Sequence, residues 1–160
     1  TLAAHILALA EKGTYEECLQ MAKDAISTGA GLQTFAKMVE AQGGNPAWIL
    51  QPENFPVAKY SHTVLSRVSG YIHSVDAEGY GVASLLLGAG RNTKEDVIDM
   101  TAGIYLKAKT GDYVKEGDPI AVLYSGKEIG FAAAEERLLA ATHIAAEKPE
   151  AIPLVLAVVE

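Results

Sequence analysis

The residues most suggestive of chemistry form a glycine-rich stretch, LLLGAGRNTKED, at positions 85–96. Glycines followed by Arg91, Thr93 and Lys94 are typical of loops that bind phosphate. The Walker pattern, however, needs a glycine directly before the lysine, and the dinucleotide pattern needs a glycine where Thr93 stands. Both also require a preceding strand, whereas the apolar residues here recur at helical spacing. We therefore expect a helix that ends at glycine, with Arg91 and Lys94 facing its last carbonyl groups.

Four histidines are the next candidates, as metal ligands. His5, His62, His73 and His143 include no pair at the four-residue spacing that puts two side chains on one helix face. His62 and His73 could lie close on paired strands, but no carboxylate is spaced to complete a metal site. The single cysteine, Cys18, excludes an intrachain disulfide framework and a cysteine-rich zinc site, so we expect it to be a small core residue.

Two glutamates and a serine complete the search for reactive groups. Glu135 and Glu136 are adjacent on a predicted helix and point in different directions, whereas a paired-carboxylate mechanism needs convergence. We expect them to form a solvated face. No G-x-S-x-G elbow is present, so Ser125-Gly126 is interpreted as a turn that ends a strand. The sequence therefore predicts no catalytic, cofactor-binding or metal-binding residue in this chain.

Composition narrows the class of protein. The chain has 160 residues, of which 49% are hydrophobic and 21% charged, as in folded globular domains. A net charge of -7 without clustered lysine and arginine argues against a nucleic-acid partner. No apolar run reaches the roughly 18 residues of a membrane span. Because helical patterning is already under way at Leu2, after Thr1 rather than Met, we expect a piece of a longer protein.

Periodicity predicts helices first and strands later. Three helices are expected before residue 43, the second opened by a capping box at Thr14 and Glu17. Their inward side chains are expected to be Cys18, Met21, Ala22, Ala25, Ile26, Leu32, Phe35, Ala36, Met38 and Val39. After a proline-containing stretch, strands are expected in HTVLSRV, YIHSV, GIYLKAK, PIAVLYS and IPLVLAVV, with a helix at 128–142. This order is typical of an α+β fold.

Two stretches, SGYIHSV and KTGDYVKEGDPIAVLYS, resemble the halves of a biotinyl or lipoyl domain. Such carriers present a modified lysine at a hairpin tip. No Met-Lys-Met is present, and Lys127 is expected to open a helix. A free-standing biotinyl- or lipoyl-like carrier or binding module is therefore kept as the alternative function.

A longer stretch closely resembles the C-terminal domain of bacterial pyrimidine-nucleoside and thymidine phosphorylases. Its matching segments are Leu87 to Arg91, Lys94 to Asp96, Ile98-Asp99, Gly103-Ile104 and Gly111 to Val114, and FAKMVEAQGGN resembles the segment just before that domain. The resemblance implies helices followed by an α/β-hammerhead-type domain. It implies residues 1–44 as a helical segment of the parent's large α/β domain, 45–60 as a connection and 61–160 as the C-terminal domain.

The resemblance also implies a function for the parent protein. Phosphorylases of this family are pentosyltransferases of nucleoside metabolism, which convert thymidine or uridine and phosphate into the base and a pentose 1-phosphate. Their Lys-x-Ser-Thr-Gly-Gly phosphate motif does not occur here, and no arginine–lysine base site can be assigned. We therefore expect the catalytic residues to lie upstream, the 85–96 loop to be structural and the chain alone to be inactive. We also expect a cytoplasmic protein without a cofactor or a membrane partner, which self-associates, most simply as a homodimer.

Overall fold

The computed structural model describes residues 1–91 and 93–159. It is a mixed α+β structure, as predicted, and its contacts divide the chain into two compact units, Thr1–Phe55 and Pro56–Glu160. Within the described part of the chain, every helix is too short or too polar to cross a bilayer.

The first unit is helical. It contains α1 (Leu2–Leu9), α2 (Tyr15–Ser27), α3 (Ala30–Ala41) and α4 (Ala47–Leu50), followed by a 3-10 turn at Pro52–Asn54. The three predicted helices are thus confirmed, and the segment expected to be a connection adds a fourth short one.

The predicted capping box opens α2. The amide of Glu17 donates to Thr14 Oγ1 at 3.3 Å, and the amide of Thr14 donates back to Glu17 Oε2 at 2.8 Å. Two amides at the helix N-terminus are thereby satisfied by side chains.

Only small side chains are fully covered in this unit, namely Ala4, Cys18 and Ala36. The core position predicted for Cys18 is therefore confirmed. The predicted inward stripe is wrong for its largest members, which are between 45% and 83% exposed: Met21, Ile26, Leu32, Phe35 and Met38. Four short helices enclose little volume, so large apolar side chains of this unit stay partly exposed.

The second unit contains two three-stranded antiparallel sheets. One has the order β1 (Tyr60–Leu65), β5 (Pro119–Ser125), β3 (Gly103–Leu106). The other has the order β4 (Tyr113–Val114), β2 (Gly70–Val75), β6 (Thr142–Ala145).

The expected pairing of β1 with β2 is wrong, and His62 and His73 therefore lie in different sheets. Consecutive strands separate here because each has a buried face, at Val64 and at Ile72, that contributes to a shared core. Two sheets that pack together bury the faces that they turn toward each other. A hairpin would instead place β1 and β2 side by side in one sheet. Ser69-Gly70 consequently connects two sheets and is not a hairpin turn.

Two helices complete the core of the second unit, α5 (Ala77–Ser84) and α6 (Phe131–Ala140). Leu87, Leu123 and Leu138 are at most 2% exposed and pack with Val64 and Ile72. Burying one such side chain fully is worth roughly 1.5–3 kcal/mol. This cluster therefore holds helices and both sheets together.

The predicted helix at 128–142 was placed too long at both ends. It begins at Phe131 because Gly130 has φ +95°, a left-handed conformation that interrupts helical geometry. Lys127 accordingly lies in a loop and does not open the helix. After Ala140 the chain enters β6, a strand that the helical pattern concealed.

The predicted final strand, IPLVLAVV, is wrong. Residues 151–159 have no regular structure apart from one bend, and their side chains are exposed, Leu154 completely. A strand forms only beside a partner edge. Among the described strands none pairs with this segment.

Two glycines provide a matched test of the packing between α6 and the turn after α5. Gly117 and Gly130 both have left-handed φ, but a Cβ on Gly130 would overlap the carbonyl oxygen of Leu86, whereas a Cβ on Gly117 meets nothing within 4 Å. We expect Gly117→Ala to cost about 1–2 kcal/mol of unfolding free energy. Gly130→Ala should cost about 1–3 kcal/mol more because of the overlap. Urea unfolding followed by circular dichroism measures both, and equal costs would contradict this packing.

Candidate functional site

The glycine-rich loop begins at the end of α5. The helix widens into a π-type turn at Leu85–Ala89, and Gly88 then takes φ +101°. The predicted helix end at glycine is thus confirmed. Because a helix precedes the glycines, the strand–loop–helix geometry of the Walker and dinucleotide sites is not formed here.

The carboxylate of Asp99 organises the far side of this loop. It accepts hydrogen bonds from the amide of Thr101 at 2.9 Å, from the Thr101 hydroxyl at 2.7 Å and from the amide of Gly126 at 2.6 Å. The amide of Asp99 in turn donates to the carbonyl of Gly88 at 2.9 Å. Asp99 therefore links the end of the α5 turn to the end of β5. We call this set of contacts the Asp99 junction.

A buried serine completes the junction. Ser125 is fully covered, and its hydroxyl donates to the carbonyl of Leu87 at 2.9 Å. The hydroxyl also accepts the amide of Lys127 at 3.1 Å and lies 3.5 Å from Asp99 Oδ2. The interpretation of Ser125-Gly126 as the end of a strand is confirmed, because β5 ends at Ser125 and the chain bends at Gly126.

The electrostatics of the junction favour a permanent negative charge. Hydrogen bonds from the Thr101 hydroxyl, then from the backbone amides of Thr101 and Gly126, lower the pKa of Asp99 to about 2, and they outweigh the opposing effect of burial. The donors are the amide and hydroxyl of Thr101 and the amide of Gly126, all of which lie outside the 85–96 stretch. The glycine-rich loop itself contacts Asp99 through the carbonyl of Gly88, which accepts the Asp99 amide.

The cationic side chains of the loop are exposed. Arg91 and Lys94 form no hydrogen bond or ion pair with other described residues, so their expected contact with the helix-end carbonyls is not observed there. Asp96 instead folds the loop locally, by accepting from the amide and the hydroxyl of Thr93 at 3.0 Å each.

The two adjacent glutamates of α6 point in different directions, as expected, but each has a partner across the unit. Glu135 lies 2.8 Å from His62 Nε2, and its side chain is 27% exposed. Glu136 pairs with Arg67 and is 67% exposed. The prediction of a solvated face is thus right for Glu136 and wrong for Glu135. No local pattern predicts the contact of Glu135, because His62 and Glu135 are 73 residues apart.

His73 has a neighbour that the sequence did not predict. Its ring centroid lies 5.4 Å from that of His143, on the adjacent strand β6. The pair was missed because the predicted helix ran as far as Thr142, the first residue of β6, and no strand was predicted at His143. No group of three histidine, cysteine, aspartate or glutamate side chains among residues 1–91 and 93–159 is arranged to hold a metal ion.

The geometry of a biotinyl or lipoyl carrier is not found around Lys127. This lysine follows β5 in the loop that leads to α6, whereas a carrier lysine stands between two paired strands. The alternative function is therefore not favoured.

Removing the charge of Asp99 should destabilise the second unit. Asp99→Asn replaces an acceptor oxygen by a donor, and hydrogen bonds to a charged group contribute about 1.5–3 kcal/mol. Because the folded pKa of about 2 is below the unfolded value, the stabilisation is present above about pH 4 and is lost as pH falls toward 2. We expect the unfolding free energy of the variant to depend less on pH in this window.

The matched control is Glu128→Gln, an exposed carboxylate near Gly126 with no hydrogen bond to another described residue. Urea unfolding at several pH values between 2 and 7 measures the difference. If Asp99→Asn and Glu128→Gln gave the same stability and acid dependence, the junction would not have the role assigned to it.

Comparison with known proteins agrees with these structural observations. A family model for the pyrimidine nucleoside phosphorylase C-terminal domain matches residues 71–145. The pyrimidine-nucleoside phosphorylase of Staphylococcus epidermidis is 43% identical over 131 residues, which cover 81% of this chain and 30% of that protein. Those of Geobacillus stearothermophilus and Staphylococcus haemolyticus are 39% and 40% identical, again over 30% of their length.

The chain thus spans about 30% of the length of these curated relatives. The matched domain includes the α5 turn, the Asp99 junction, both sheets in part and α6. Residues 71–145 are therefore similar to the pyrimidine nucleoside phosphorylase C-terminal domain, and 81% of the chain is similar to part of an enzyme named pyrimidine-nucleoside phosphorylase.

Proposed function

We propose that this chain is the C-terminal part of a pyrimidine-nucleoside phosphorylase. The observation that carries the proposal is 43% identity over 131 residues to an enzyme of that name. In the proposed reaction of the whole protein, the bond between the nucleoside base and the sugar C1′ breaks, and a bond from C1′ to a phosphate oxygen forms. The products are the free pyrimidine and a pentose 1-phosphate.

The part that this chain plays is structural. The Lys-x-Ser-Thr-Gly-Gly motif expected at the phosphate site does not occur in the sequence. The loop that most resembles a phosphate site follows a helix, whereas phosphate-binding loops of the Walker and dinucleotide types follow a strand. We propose that the catalytic residues belong to the remaining 70% or so of the parent enzyme and that the chain alone does not catalyse phosphorolysis.

The organisation of the chain within the parent follows the same proposal. Residues 1–44 would belong to the large α/β domain, 45–60 would connect it, and 61–160 would form the C-terminal domain. We propose a cytoplasmic location, consistent with bacterial enzymes of nucleoside metabolism.

The proposal is tested by two phosphorolysis assays. The purified chain, given thymidine or uridine and phosphate, should release no base above background. A chimera, in which residues 56–160 replace the corresponding part of the Staphylococcus epidermidis enzyme, should retain kcat within about tenfold of the parent. Ultraviolet absorbance of the released base measures both.

A folded chimera that binds neither nucleoside nor phosphate would contradict membership of such an enzyme. Turnover by the chain alone at an ordinary enzymatic rate would contradict the upstream location of the catalytic residues. Intact mass of the chain provides the control for the alternative function, since a biotinyl or lipoyl adduct would favour a carrier.

We also propose that the chain self-associates through its first unit. Ten apolar side chains there are at least 45% exposed: Leu2, Ile6, Leu9, Met21, Ile26, Leu32, Phe35, Met38, Leu50 and Phe55. Monomers seldom leave so many apolar groups open to water. In a solution that contains only this chain, a second copy can cover these apolar side chains. A two-fold axis would pair the same surface of the two copies.

Light scattering should therefore show a dimer or a larger species. Phe35→Glu should weaken the association, because the charge would be buried at the contact. Val97→Glu, at an 84% exposed position of the second unit, is the matched control and should leave it unchanged. A monomer at high protein concentration would contradict the proposal.

A further inference from the structure

Two histidines lie side by side on the exposed surface of the sheet formed by β4, β2 and β6. His73 and His143 are both exposed, and their ring centroids are 5.4 Å apart with the rings nearly perpendicular, at 74°. The structure gives these rings no role in the core.

A bulge in β2 brings the two rings together. Ile72 pairs with Ile144 and Ser74 pairs with His143, so His73 is an extra residue inserted between two consecutive pairs. In a bulge, two residues face one on the partner strand, and the inserted side chain is redirected. Such redirection often serves a local site, and here it places a second imidazole beside the first.

The separation of the rings suits a shared metal ion. A metal lies about 2.0–2.1 Å from an imidazole nitrogen, which puts it roughly 3 Å from the ring centre. Two imidazoles on one tetrahedral ion therefore have centroids about 5 Å apart. The observed 5.4 Å is within a few tenths of that value, so small rotations of two exposed side chains would suffice.

The surroundings are compatible with a cation. Asp112 and Glu150 line the same cleft as His73, together with the opposing charge of Lys148, and the chain carries a net charge of -7. Imidazole is a preferred ligand of copper, nickel and zinc ions. With no third protein ligand grouped here, water would fill the remaining coordination positions.

We propose that His73 and His143 form a two-histidine site for a divalent transition metal of the copper and zinc class. The ion bridges β2 and β6 and keeps open positions for water or an exchangeable ligand. This site is separate from the Asp99 junction and does not depend on the proposed phosphorolysis.

Calorimetric titration of the whole chain with ZnCl₂, and separately with CuCl₂, tests the site. We expect one ion per chain. His73→Ala and His143→Ala should each weaken binding at least about tenfold, because a single imidazole remains. His62→Ala and His5→Ala are the controls and should bind as the unchanged chain does. Because His73 and His143 are exposed, their alanine variants should stay folded, and circular dichroism verifies the fold of all four variants before titration.

A second readout locates the ion directly. Substoichiometric Cu²⁺ should broaden the nuclear magnetic resonance signals of β2 and β6 before those of β1 and β5. No binding by the unchanged chain would overturn the proposal. Loss in only one of the two variants would also overturn it, since that result indicates a lone histidine and not a pair. Equal loss in His62→Ala would place the ion elsewhere.

Discussion

The second unit depends on one charged group, the carboxylate of Asp99. It is bound by three donors from two separate segments, and the amide of the same residue holds the carbonyl of Gly88. The residues between the α5 turn and β3 would otherwise be a loop attached only at its ends. Because an ionised acceptor forms stronger hydrogen bonds than a neutral one, a single side chain fixes the loop against the end of β5.

The glycine-rich loop suggests phosphate chemistry by its composition. Glycines, an arginine, a threonine and a lysine are residues that surround a bound anion. Here the glycines end a helix, and Gly88 adopts the left-handed conformation typical of such an end. The carbonyl of Gly88 accepts the amide of Asp99, so the helix end is connected to the junction. This fits a domain whose proposed contribution to phosphorolysis is structural.

Much of the fold was predictable from local signals, and the errors share a physical cause. Helices of the first unit show helical periodicity in their apolar residues, and the capping box of α2 was predicted because Thr14 and Glu17 lie within four residues of each other. The pairing of β1 with β5, the His62–Glu135 contact and the His73–His143 pair depend on residues far apart in sequence. No stretch short enough to show a periodic pattern contains both partners of any of these contacts. The prediction of a final strand failed for a related reason. Strand propensity does not show whether the edge of another strand is available for pairing.

Separate sheets for consecutive strands have a consequence for how the domain forms during synthesis. Within the second unit β1 and β2 are synthesised first, and their partners β5 and β6 follow only after β3 and β4. Neither sheet can close until almost all of the unit has been made, and long loops must be ordered at that moment. Until then β1 and β2 have unpaired edges and exposed apolar faces. Strands in this state can pair with strands of other chains. Assembly of this domain is then a late event, and a chain that stops before β6 would leave β2 with one edge open.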